Sequence, residues 1–127
     1  MPMRRVIVES PYAGKTEAEI DRNIRFARAC VRDCILHGEA PFASHLLYTQ
    51  PKILADAIPE ERSLGMRAGF SWVEVADATI VYTNLGISRG MKAGIQQAEK
   101  HRKPVEYRTL LGDQFAVSDD EPTSPGE

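Results

Sequence analysis

Four short strand-like runs alternate along this chain with three amphipathic segments of helical period. The strand-like runs are Arg5–Glu9, Glu39–Ala43, Thr79–Thr83 and Lys103–Tyr107. Helical periodicity fills Thr16 to about His37, Pro59 to about Val75 and Ser88 to about Arg102. The resulting β-α-β-α-β-α-β order leaves little topological choice. Strands joined through helices pair in parallel, the crossovers are right-handed, and the helices cover the sheet faces. In such sheets a ligand binds beyond the carboxyl ends of the strands. That rule selects three loops, 9–15, 43–50 and 83–92.

Local signals set the boundaries. Thr16 and Glu19 form a capping box, and Gly38 supplies a helix stop. Pro41 marks an edge strand or a strand start. Residues 51–58 read as a loop with one short turn, after which Pro59 opens the second helix. On the first helix Ile20, Ile24, Ala27, Val31, Cys34 and Ile35 make the expected core stripe, with Arg22, Arg25, Arg28 and Arg32 on a solvated face. The second helix carries two apolar stripes, Leu64-Ala68-Ser71-Val75 and Met66-Phe70-Val73, with Gly65 and Gly69 four residues apart. A helix apolar on two faces is buried on two faces. The Met66-Phe70-Val73 face is therefore expected against another subunit, giving a homodimer or larger assembly. Trp72 is expected in the core.

A chain of 127 residues holds one core. Residues 1–111 are expected to form that domain, and the acidic segment 112–127 a disordered tail. The tail holds five acids and no base, leaving 13 acids against 16 bases in the body. That bias suits an anionic small molecule. It lacks the dense basic stripe that a nucleic-acid duplex demands. No apolar run reaches the ~20 residues of a membrane span. The start of the chain shows no signal-peptide pattern, so the cytoplasm is the expected location. Cys30 and Cys34 make neither a disulfide scaffold nor a metal site, and no cofactor is implied.

The richest loop runs from Asn84 to Lys92. Its free amides, the Ser88 hydroxyl and Arg89 or Lys92 suit a phosphate or carboxylate at a helix N-terminus, though its glycines also suit a plain tight turn. Gly86-Ile87-Ser88-Arg89-Gly90 matches the nucleophile-elbow spacing. Yet the only later histidine, His101, precedes every later Asp, the reverse of the acid-then-His order that motif requires. His45 is a candidate acid/base or hydrogen-bonding group, whereas His37 and His101 fit structural places near helix C-termini. Glu60 and Glu61 favour a helix N-terminus and can fold over the site. The expected ligand-binding set is Ser10, Pro11, Tyr12, Ser44, His45, Tyr48, Asn84, Gly86, Ser88, Arg89, Gly90, Met91 and Lys92. The catalytic candidates are Glu9, His45 and Glu61.

Four ordered motifs carry a family resemblance: Val6 to Gly14 (VIVESPYAG), Ala40 to Gln50 (APFASHLLYTQ), Pro59 to Trp72 (PEERSLGMRAGFSW) and Val81 to Gly94 (VYTNLGISRGMKAG). Together they resemble an uncharacterised family of bacteriophage and bacterial genomes. That family in turn resembles the nucleoside 2-deoxyribosyltransferase superfamily of deoxyribosyltransferases and nucleotide N-glycosidases. The resemblance implies a flavodoxin-like, Rossmann-like three-layer α/β sandwich with a mostly parallel sheet of four to five strands. It also implies a dimer with sites near the subunit interface, and host cytoplasm if the chain is phage-encoded. It places Lys92 where the superfamily has its nucleophilic Glu, and Gly69 where a second catalytic Asp stands. An ammonium cannot stabilise an oxocarbenium-like centre, but it suits a phosphate. Two readings follow. One is a domain that holds a nucleotide or ADP-ribose-type molecule without cleaving it, in a phage setting sequestering a nucleotide immune signal. The other is an N-glycosidase or deoxyribosyltransferase with relocated carboxylates, Glu9 or Glu61 acting with His45.

Overall fold

The structure, a computed structural model, describes residues 2–112. The expectation for the acidic tail falls almost wholly outside the described residues. Strand β1 (Arg4–Glu9) leads into helix α1 (Glu17–Leu36), strand β2 (Glu39–Phe42) and a single-turn helix α2 (Ser44–Leu47). Helix α3 (Pro59–Phe70), a 3-10 turn at Val73–Val75, strand β3 (Ala78–Tyr82), helix α4 (Arg89–Lys100) and strand β4 (Val105–Arg108) complete the order. The four strands pair in parallel in the order β2-β1-β3-β4. This is the α/β sandwich the alternation predicts. Pro41 lies in an edge strand, where its missing N–H costs no interior ladder bond.

The sheet's pleat sorts its residues to two sides. Val6, Val8, Ala78, Ile80 and Tyr82 pack with Phe26, Cys30 and Cys34 of α1. Ile7, Val73, Ala76 and Ala98 form a second cluster, and Val81 joins Met91 and Ile95 of α4 in a third. Below the α1 face, Arg4 and Arg108 both bond Glu39, while the Tyr82 hydroxyl donates to Asp33 at 2.7 Å. These contacts tie the two edge strands β2 and β4 across the sheet.

Caps behave as read, with one difference. Thr16 Oγ1 accepts from the Glu19 amide at 3.1 Å, but Glu19 returns its bond to the Lys15 amide rather than to that of Thr16. Gly38, at φ +79°, turns the chain after α1. Ser88 Oγ accepts from the Met91 amide at the start of α4.

Three packing expectations are corrected. The core face of α1 is Asn23, Phe26, Ala27, Cys30, Asp33 and Cys34, and Ile35 is half exposed. The face rotates because Asn23 and Asp33 are buried with their hydrogen bonds made, Asn23 to the carbonyls of Tyr12 and Ala13. Trp72 is half exposed, lying on Phe42 and donating to the Tyr48 hydroxyl. Finally, Met66, Phe70 and Val73 turn inward onto a cavity of this same chain, and it is Leu64 that α3 leaves half exposed. Helix α3 also stops at Phe70, before the Val75 that the periodicity suggested.

Candidate functional site

The parallel sheet ends in a cavity of about 350 Å³. Its floor is the β1 end, Ile7, Glu9 and Ser10, continuing into Tyr12 and Ala13. One wall is α2 and the turn after it, with Ser44, His45, Tyr48 and Thr49. The N-terminus of α4 contributes Ser88, Arg89, Gly90 and Met91. The other wall is α3, which presents Glu61, Arg62, Gly65, Met66, Gly69 and Phe70. These positions recur at three- and four-residue spacing, so one helical face lines the cavity along its length. Leu54 and Asp56 close the side before α3.

The two α3 glycines have a packing reason. A Cβ on Gly69 would stand 2.6 Å from Ser44 Oγ, so α2 approaches α3 where only glycine fits. A Cβ on Gly65 would meet the Leu54 side chain at 3.2 Å. Gly94 does the same for α4, since a methyl group there would overlap the Glu9 carboxyl.

Three polar features define the chemistry. First, Glu9 reaches the cavity with no hydrogen-bond or ion-pair partner among the described residues. Burial without a counter-charge pushes its carboxyl up to about 8, so it carries its proton at neutral pH. Second, Ser10 Oγ and His45 Nε2 are 2.7 Å apart. Burial pulls the His45 imidazolium down to about 4, so the ring is neutral at pH 7 and can accept from the serine hydroxyl. Third, the α4 N-terminus brings free amides and a positive dipole end, with cations beside it. Arg62 Nη2 comes to 4.0 Å of where a Gly90 Cβ would be, while its Nη1 donates to Asp56 at 2.7 Å. Glu61 accepts from the Ala55 amide at 2.7 Å and so fixes the loop that precedes α3.

Most of the sequence-derived site set meets in this one cavity: Glu9, Ser10, Tyr12, Ser44, His45, Tyr48, Glu61, Ser88, Arg89, Gly90 and Met91 all line it. Four residues stand apart. Pro11 is buried outside the lining. Asn84 is committed elsewhere, bonding both the amide and the carbonyl of Leu110. Gly86 serves the turn with φ +86°. Lys92 is exposed and outside the cavity, because helix geometry points it away from the face that Gly90 and Gly94 share. Sequence reasoning missed Arg62, Asp56, Met66 and Phe70 as lining residues. The Gly65-Gly69 spacing was the available signal, since it marks a helix face approached closely by another segment. Of the two positions where the resemblance seeks carboxylates, Gly69 is in the wall and Lys92 is outside. The carboxyl groups that line the cavity are Glu9, Asp56 and Glu61.

The profile of a domain of unknown function (DUF7768) matches residues 4–108. No curated protein sequence matches the chain. Seven chains of solved structures do match. One is described as a 2-deoxyribosyltransferase from the psychrotolerant bacterium Bacillus psychrosaccharolyticus. It is 17% identical, with a TM-score of 0.57 over 85% of this chain and 74% of that one. The likeness is one of fold: the chain shares the deoxyribosyltransferase-like, Rossmann-like architecture. Among the described residues, no helix is long and apolar enough to cross a membrane.

Proposed function

The chain belongs to the family described as Domain of unknown function (DUF7768), and we propose that its cavity binds a nucleotide-like small molecule. The carrying observation is that the α4 N-terminus borders the same cavity as the apolar α3 face. A nucleotide needs both an anion seat and an apolar slot. The amides of Arg89 and Gly90, ahead of the Met91 amide that Ser88 caps, supply the first, with the Arg62 and Arg89 side chains beside them. Met66, Phe70 and Leu54 supply an apolar wall for the base, and Tyr12 and Tyr48 offer rings.

A second reading is an N-glycosidase or deoxyribosyltransferase. It is favoured by two carboxyl groups, Glu9 and Glu61, lining one cavity. A proton-bearing Glu9 is suited to protonating a departing base, and Glu61 is the carboxyl left to face the anomeric carbon. The first reading also covers sequestration of a nucleotide signal, the role the bacteriophage resemblance suggests. Self-association belongs to the proposal as well, through the outward side of α3 where Leu64 is exposed. Light scattering at tens of micromolar tests it, and a monomer would remove it.

Titration calorimetry with ribo- and deoxyribonucleoside 5′-monophosphates tests binding, with chromatography of the same mixtures for released base. Binding without base release supports the first reading, and base release that Glu9→Gln abolishes supports the second. No affinity for any member of the series overturns both.

A further inference from the structure

Glu9 is the one carboxyl group of the cavity with neither an ion pair nor a hydrogen bond among the described residues. Asp56 is paired with Arg62, and Glu61 with the Ala55 amide. The residue is partly buried and its carboxyl group opens onto the cavity, where water or the hydroxyls of a ligand must supply the hydrogen bonds the protein does not. The recess that holds it is built by Gly94, whose missing side chain is the space the carboxyl group occupies.

Its place relative to the anion seat is fixed by α4. Gly90 and Gly94 lie on the same face of the helix, one turn and about 6 Å apart along the axis. The Arg62 guanidinium stands over Gly90, and the Glu9 carboxyl group over Gly94. A phosphate seated at the first turn therefore has Glu9 about one turn further in. In a 5′-nucleotide four or five bonds separate phosphorus from the carbons bearing the 3′- and 2′-hydroxyls. At about 1.5 Å per bond, shortened to about 1.2 Å of advance by the tetrahedral zigzag, that path spans roughly 5–6 Å, so the sugar reaches Glu9 before the base does.

We infer that Glu9 reads the sugar of the bound nucleotide and selects a free vicinal diol, preferring a ribonucleotide to its 2′-deoxy and 3′-deoxy counterparts. The inference rests on the nucleotide reading above. A diol satisfies the carboxyl group in either protonation state. Two hydroxyls donate to a carboxylate. Alternatively, one hydroxyl donates to the carbonyl oxygen of the neutral acid while the other accepts from its O–H. Once the nucleotide covers the carboxyl group, a sugar lacking one hydroxyl leaves half of it unmatched and out of reach of water, and sites of that kind reject such analogues strongly.

The test is calorimetric titration of the full chain with adenosine 5′-monophosphate, its 2′-deoxy and 3′-deoxy forms, and the same series on cytosine. The expected result is at least tenfold weaker binding for each deoxy form, on both bases. In Glu9→Ala, with folding verified by its melting curve, the preference should shrink to within about twofold. Equal affinities for the ribo and deoxy forms in the wild type would overturn the sugar assignment and leave the nucleotide reading standing. A preference that survives in Glu9→Ala would assign the diol to another residue and overturn the role of Glu9. Absence of binding by every member would overturn the nucleotide reading itself, and the sugar assignment with it. Where Glu9→Ala does not fold, Glu9→Ser makes the same comparison.

Discussion

Replacing Glu9 by Gln should change how stability depends on pH in a window that the structure sets. The Glu9 carboxyl group is raised from 4.5 to about 8 by burial. The folded protein therefore holds a proton that the unfolded chain has released across that interval, and folding stability falls as pH rises through it. At about 1.4 kcal/mol per pH unit, the interval bounds the effect at roughly 5 kcal/mol, and water entering an open cavity lowers it. His45 acts in the opposite direction. Its imidazole is lowered from 6.5 to about 4, so stability is present above pH 6.5 and is lost as pH falls toward 4. The two slopes oppose each other between about pH 4.5 and 6.5, and only the Glu9 slope remains between 6.5 and 8. Urea denaturation of the wild type and Glu9→Gln at pH steps from 5 to 9 isolates it. The wild type should lose up to about 2 kcal/mol relative to the variant between pH 6.5 and 8, with the two curves parallel at higher pH. Parallel curves throughout would show that Glu9 is ionised and solvated in the folded protein, and the reasoning about its recess would fail.

Other consequences are simpler to check. Glu39→Gln removes the shared partner of Arg4 and Arg108 and should cost about 3 kcal/mol. Because those arginines hold the Glu39 carboxylate down to about 2, the wild type should also lose that stability as pH falls from 4.5 toward 2, by denaturant titration in acid. The Thr79 hydroxyl is buried without a partner among the described residues, so Thr79→Val should stabilise by about 1 kcal/mol, read as a higher urea midpoint at unchanged slope. Lys92→Ala should leave nucleotide affinity within twofold by calorimetry, whereas Arg62→Ala should weaken it about tenfold or more.

The strands and their parallel pairing were legible because the runs are short and bounded by turn residues, those of β1 and β3 are rich in Val and Ile, and βαβ alternation admits few topologies. The loops of the site followed from the same rule, which brought Ser10, His45 and Ser88 to one edge without any knowledge of contacts. What was not legible depended on partners distant in sequence. Hydrophobic periodicity put Ile35 in the core, since it does not register Asn23 and Asp33 as core residues. Their burial is tolerated through bonds to the 12–13 carbonyls and to Tyr82, with His37 and Arg108 near the Asp33 carboxylate. Met66 and Phe70 look alike whether they face a second subunit or an internal cavity. Lys92 adjoins the right loop, but its place on the helix turns it outward.

Backbone amide shifts in a two-dimensional NMR titration with adenosine 5′-monophosphate test the central claim most directly. Nucleotide binding in the cavity predicts saturable shifts at Gly90 and Met91 of α4, at Ser10 and Tyr12 after β1, and at Gly65 and Gly69 of α3. The amides of Arg67 and His101, which border the separate groove between α3 and α4, should stay in place. Shifts confined to that groove, or none at millimolar nucleotide, would contradict the account.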